Sequence, residues 1–265
     1  MVEFQMMLSQ SEFLCLNHRF LVSNLVNRNL KVKYRRSIAG ILWTLLAPLS
    51  LAGLYFLVFR MILKVDQPFY MAFILSGVLP WNFISQSLVE GVDSLVGNWA
   101  LISKVPVPVQ VFPYVGTVTN FISLLIAIPV AIAASIISGA PVGVSLIALI
   151  PLLVCLFIIV YSIAMILGIT YVILRDLKNA VGILIQFWFY ATPVIYSEAM
   201  IPESFKWMIY VNPFGTFFAS IHSILVRGEW PQAPHAIAIL AWSAGLMLLA
   251  SFLYGRYRRQ VVEQI

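Results

Sequence analysis

The chain has 265 residues, of which 62% are hydrophobic and only 10% charged, with a formal net charge of +6; a typical soluble domain is about 25% charged. A soluble fold of this length cannot hide so much apolar surface, so composition excludes a soluble globular protein, and the uncharged runs leave no room for a soluble domain of useful size. The positive balance does not indicate nucleic acid, because half the basic residues flank apolar runs: Arg28, Lys31, Lys33, Arg35 and Arg36 before the first, Arg256, Arg258 and Arg259 after the last, a placement that suits anionic headgroups and the setting of topology.

Taken in chain order, residues 1–36 form no span. Leu14, Leu21, Val22, Leu25 and Val26 give the segment one apolar face, interrupted by His18, Arg28 and Asn29, which fits an amphipathic helix lying at the membrane interface. Residues 1–30 lack the basic start, clean apolar core and small-residue cleavage site of a removable signal peptide. A bilayer core about 30 Å thick takes roughly 20 apolar residues per helix. On that measure residues 37–265 are expected to form a six-span domain, with spans over about 38–60, 69–92, 107–137, 144–174, 179–197 and 235–255. The second is interrupted by Pro80, Asn82 and Gln86, and the third and fourth divide at Ser138-Gly139-Ala140-Pro141-Val142-Gly143.

Between spans five and six, Trp207–Val226 is also uncharged, but Asn212-Pro213 and Gly215 lie inside it and His222 adds polarity. Proline removes a backbone hydrogen bond and biases its predecessor away from helix. Two short helices in an external re-entrant hairpin are therefore expected, a form that needs shielding by protein or a water-filled cavity. Charge counting points the same way. With six spans, Arg19, Arg28, Lys31, Lys33, Arg35, Arg36, Lys104, Arg175, Lys178, Arg256, Arg258 and Arg259 share one side, twelve of the sixteen Lys and Arg. A seventh span would put the last basic cluster outside, against the positive-inside rule. The fold class expected is an all-α polytopic membrane protein with both ends cytoplasmic.

Catalytic and metal-binding patterns are missing. There is no Gly-x-x-x-x-Gly-Lys-[Ser/Thr] phosphate loop and no Gly-Lys pair, so any ATP that drives this protein binds another polypeptide. His18, His222 and His235 are isolated in sequence, and Cys15 and Cys155 lie far apart without metal-ligand neighbours, so neither a metal centre nor a disulfide framework is expected. Glu90 and Asp93, one turn apart at the cytoplasmic end of span two, are the nearest approach to a carboxylate pair. The spans hold no ionisable group near their midplanes, unlike the usual secondary transporter.

The run Lys33-Tyr34-Arg35-Arg36-Ser37, then Gly40-Ile41-Leu42-Trp43 and Pro48, resembles the opening of permeases from ABC-type polysaccharide exporters. Lys104-Val105-Pro106, Arg175-Asp176-Leu177, Thr192-Pro193-Val194-Ile195-Tyr196 and Asn212-Pro213 agree in order and spacing, so that the resemblance runs nearly end to end. It implies an inner-membrane permease exporting lipid-linked glycan such as O-antigen or teichoic acid. It also implies a homodimer paired with two ABC-type ATPase subunits, with ATP and Mg held there and no cofactor on this chain. The interface helix and the loop near Asp93–Pro108 would touch the ATPase. Asn98, Trp99, Leu101 and Lys104 are the contact candidates, with a short helix over Asn98–Ile102, while Arg175, Asp176 and Lys178 would anchor to headgroups or to the partner.

A conduit for a sugar polymer calls for aromatic platforms, since CH-rich sugar faces pack on rings while hydroxyls stay hydrated. Phe187-Trp188-Phe189-Tyr190 lies in span five, but consecutive residues sit ~100° apart on a helix and cannot share one lumen. Phe187 or Trp188 with Tyr190, Tyr196, Tyr55 and Phe59 are the lining candidates. Lys31, Lys33, Arg35 and Arg36 lie where a carrier pyrophosphate would arrive, and arginine suits bidentate phosphate contacts. The competing readings are a drug or lipid permease of the same superfamily and a membrane enzyme using polyprenyl phosphate.

Overall fold

In hydrocarbon every backbone N–H and C=O must find its partner within the protein, which leaves long apolar runs no choice but helix. The computed structural model describes residues 18–34, 42–104 and 107–264, and among these it contains helices and turns with no strand. In chain order the helices are α1 (Arg19–Tyr34), α2 (Trp43–Tyr55, prolonged by a π-helical stretch Phe56–Ile62), α3 (Tyr70–Asp93) and the short α4 (Trp99–Ile102). They continue as α5 (Val111–Ile137), α6 (Leu149–Ile173), α7 (Leu177–Tyr190), α8 (Trp207–Val211), α9 (Gly215–His222, prolonged by a π-helical stretch Ser223–Arg227) and α10 (Ala233–Gln264). Among the described residues five stretches are long and apolar enough to cross a membrane, and a sixth is available if the bent pair Glu203–Val211 and Gly215–Arg227 is one broken span.

The helix α3 is the hub. At 24 residues it is about 36 Å long, and it packs against α2, α5, α6, α7 and α9. Small residues set these approaches. A Cβ on Gly77 would stand 2.0 Å from the Val194 carbonyl oxygen, and one on Gly91 would stand 2.6 Å from the Ala164 Cβ. Close backbone approach at small residues is the usual way membrane helices gain packing, since lipid tails remove the hydrophobic drive between them. An aromatic cluster fills the space between α3, α7 and α9, with Trp81 edge-on to Phe189 and Phe214 and His222 stacked on Phe73 at 3.9 Å.

The amphipathic α1 lies along α5. Val22, Leu25 and Val26, at helical spacing, pack on Val111 and Val115. The turn after α5 forms at the Ser138–Gly143 sequence, where Gly139 takes a left-handed φ of 80°. Cys155 is buried with a free thiol. Residues 1–17, 35 and 36 of the N-terminal segment, including Cys15, and Val105-Pro106 lie outside the described residues.

The fifth span is shorter than expected. The helix α7 stops at Tyr190 after 14 residues, about 21 Å, where a span to 197 is expected. The chain then runs through turns, because Pro193 cannot continue a helix and restricts Thr192 before it. The hairpin region breaks at Asn212-Pro213, the two halves meeting at 103°. Its second half is enclosed by protein: Phe214, Phe217, Phe218, Ile221, Ile224 and Leu225 are fully buried.

Candidate functional site

A groove of about 430 Å³ runs between α2, α3 and α7. One wall is Pro48, Leu51 and Tyr55, the floor is Val78, Trp81, Asn82 and Ser85, and the other wall is Ile185, Gln186, Phe189 and Tyr190. Its chemistry is mixed. Tyr55 stacks on Phe189 with centroids 5.8 Å apart, and Trp81 meets the same ring edge-on at 5.4 Å. Asn82, Ser85 and Gln186 place amide and hydroxyl groups among these rings. Apolar ring faces beside neutral hydrogen-bonding groups, with no charged side chain in the lining, accommodate a molecule that is apolar on its faces and polar at its rim.

The lining candidates from sequence fall in different places. Tyr55 and Tyr190 line the groove. Phe59 lies one turn along α2, edge-on to Tyr55 at 6.3 Å. Phe187 is exposed, and the groove lining does not include it. Trp188 turns the opposite way: its indole donates to Asn212 Oδ1 at 3.0 Å and its ring lies on Phe214 at 4.9 Å. The Tyr196 hydroxyl donates to the Tyr190 carbonyl at 2.9 Å, which holds the end of α7 rather than facing the groove.

The residues that sequence reasoning passed over are Trp81, Asn82, Ser85, Gln186 and Phe189. A signal for them existed. Gln186 is a lone amide in an apolar run, and its helical neighbours at i−1, i+3 and i+4 are Ile185, Phe189 and Tyr190, the observed wall. Asn82 was visible only as an interruption of span two.

One residue fixes α7 against the hairpin. The Asn212 side chain accepts from Trp188 Nε1 and from the Phe214 amide, both at 3.0 Å. It donates to Thr192 Oγ1 at 2.8 Å and to the Ala191 carbonyl at 3.3 Å. Every hydrogen-bonding capacity of the amide is used, and this sets the angle from which Phe189 enters the groove.

The basic candidates separate in the same way. Arg35 and Arg36 lie outside the described residues, and Lys31 is exposed. Lys33 is exposed as well, but its ammonium is bonded, donating to Gln86 Oε1 at 3.1 Å and Asn120 Oδ1 at 2.9 Å. Glu90 and Asp93 diverge: Glu90 accepts from Asn120 at 2.8 Å, whereas Asp93 pairs with Lys178 at 3.1 Å. In the following loop, Trp99–Ile102 is helical, Asn98 caps back onto the Ser94 carbonyl at 2.8 Å, and Lys104 is exposed. Leu101 packs on the same apolar cluster as α1. Among the described residues no group of His, Cys, Asp and Glu is arranged to hold a metal ion.

The model of a family described as ABC-2 type transporter matches residues 21–226. A protein named O-antigen export system permease protein RfbA from Klebsiella pneumoniae is 31% identical over 205 residues, covering 77% of this chain and 79% of the relative. A protein of the same name from Myxococcus xanthus is 31% identical over 253 residues, covering 94% and 96%.

Proposed function

Because the chain belongs to the ABC-2 type transporter family, we propose that it carries lipid-linked polysaccharide from the cytoplasm across the inner membrane, powered by a separate ATPase. Membership makes it a multi-pass transport protein rather than an enzyme, and in such systems the ATPase is a distinct subunit with which the permease pairs. On this reading ATP and Mg act only on that partner, and six spans leave both ends of the chain in the cytoplasm.

The observation that carries the glycan reading is the groove. Its rings suit sugar faces, its amides suit hydroxyls, and the absence of charge from its lining suits a long polymer that must not be held at any one point. The groove is partly open. Two copies of the chain facing each other across α2 and α7 would close it into a conduit. The names of the relatives support the same cargo. The enclosed second half of the hairpin supports a re-entrant element, because buried backbone needs protein around it.

The test is reconstitution with the partner ATPase in proteoliposomes. A polyprenyl-pyrophosphate-linked glycan is expected to raise ATP hydrolysis, and Phe189→Ala to cut that stimulation about tenfold, within the range for a lost aromatic anchor. Stimulation by hydrophobic drugs or phospholipid alone, with none by glycan, would instead make this a drug or lipid permease.

A further inference from the structure

A polar seam joins the interface helix to the groove, and nothing in the export reading requires it. Its centre is Asn120 on α5, 1% exposed. The oxygen of that amide accepts from the Lys33 ammonium, and its nitrogen donates to the Glu90 carboxylate. One buried amide thus bridges a cation on α1 and an anion on α3, with both ends of its dipole aligned to the charges it meets. Lys33 also donates to Gln86, whose own amide donates to Asn82 at 3.0 Å. Asn82, Gln86 and Glu90 are spaced i, i+4, i+8 and form one stripe along α3. Asn82 belongs at once to this stripe and to the floor of the groove. A void of about 10 Å³, bordered by Asn82, Gln86 and Asn120, lies beside the stripe and has room for a single water.

The rest of the α1 attachment is of another kind. Val22, Leu25 and Val26 rest on apolar α5 side chains, a contact without direction that tolerates sliding. The Lys33 bonds at the other end of α1 are directional and have discrete alternatives, made or broken. A helix held loosely at one end and by a charged bond at the other behaves as a lever with a latch. Leu101, in the short helix expected to meet the ATPase, packs on the apolar end.

We propose that Lys33 is a positioning residue for transport. Through Asn120 and Glu90, and through Gln86 to Asn82, it ties the displacement of α1 to the shape of the groove, so that ATP use in the partner is registered where cargo passes. The proposal rests on the ATP-driven export reading above. Coupling between sites joined by such a two-state element is commonly worth 5- to 150-fold.

The experiment uses the complete complex with its ATPase in proteoliposomes and compares wild type, Lys33→Met, Glu90→Gln and the double variant. Each single substitution is expected to lower glycan exported per ATP about tenfold, the lower part of that range. The double variant is expected to be no worse than the poorer single one, because the charges act as one unit. Backbone hydrogen exchange supplies a readout that needs no cargo: in Lys33→Met, amides of residues 30–34 are expected to exchange about tenfold faster while those of 22–26 are unchanged. Unchanged exchange at 30–34, unchanged export per ATP, or additive losses in the double variant would each overturn the latch. Should Glu90→Gln fail to insert, Lys33→Met alone still decides through exchange and export. A wild-type complex that exports no glycan would overturn the cargo reading instead, leaving the exchange result to stand or fall separately.

Discussion

The helices α2 and α3 are both apolar, both carry a proline, and have opposite surroundings. Of the most apolar window in each, 11% is buried for α2 and 78% for α3. In water the more buried helix is the one with more hydrophobic surface to hide. Here it is the one with less reason to meet lipid: α3 carries Asn82, Gln86 and Ser76, together with Gly77 and Gly91 at close crossings. Polar groups and small residues draw a membrane helix inward, because lipid competes for apolar side chains but offers neither hydrogen bonds nor tight backbone packing. Exposed Leu46, Leu54, Leu57 and Met61 on α2 are therefore not a defect of packing. They form a face fit for lipid or for a second copy.

The harshest way to break this contrast is to add volume at the α3 crossing. A Cβ at Gly77 meets a backbone carbonyl at 2.0 Å, with the Val194 side chain at 3.2 Å behind it. A backbone oxygen cannot rotate aside, so Gly77→Val is expected to cost more than about 3 kcal/mol, the upper part of the range for overpacked cores. The monodisperse peak in detergent should be lost, and a normal peak with an unchanged denaturation midpoint would refute the crossing.

Asn212→Ala comes next. It leaves the Trp188 indole and the Phe214 amide without the partner they have in this fold. Partly buried groups orphaned in this way cost about 1–3 kcal/mol. The denaturation midpoint should fall accordingly, and because α7 loses its anchor, Phe189 should shift and glycan stimulation should drop with it. A lowered midpoint with normal stimulation would separate the hairpin from the groove.

These two residues also mark what sequence makes legible. The long runs that became α3, α5, α6 and α10 could be read directly, since length and absence of charge are sufficient causes of a membrane helix. Pro193 marks the end of α7 in the sequence, whereas the uncharged run alone carries on to 197. The groove was half legible. Aromatic content points to Tyr55 and Tyr190, but it cannot choose Phe189 over Phe187 or Trp188, because the facing direction of a helix is fixed by what packs behind it. Trp188 faces Asn212, 24 residues away, and that bond rotates Phe189 into the groove. The Lys33 seam was not legible at all. Its bonds span 53, 87 and 30 residues, and the basic cluster read equally well as headgroup contacts.

The gentlest probe lies on the opposite helix. Gly53 of α2 has nothing within 4 Å of a Cβ, so Gly53→Ala meets no steric objection and replaces a poor helix former by a good one, a gain of up to about 1 kcal/mol. The midpoint should hold or rise slightly, in contrast to Gly77→Val. A larger side chain at the same position asks what covers the face. Lipid adjusts to a tryptophan, whereas a second copy packed on α2 does not. Gly53→Trp should therefore leave the fold of one chain intact, by midpoint and by hydrogen exchange in α3, and yet shift the complex to half its size on gel filtration with light scattering if α2 closes the conduit against its partner copy. If the assembly keeps its mass and still exports, α2 faces lipid, and the groove must be closed along α7 alone.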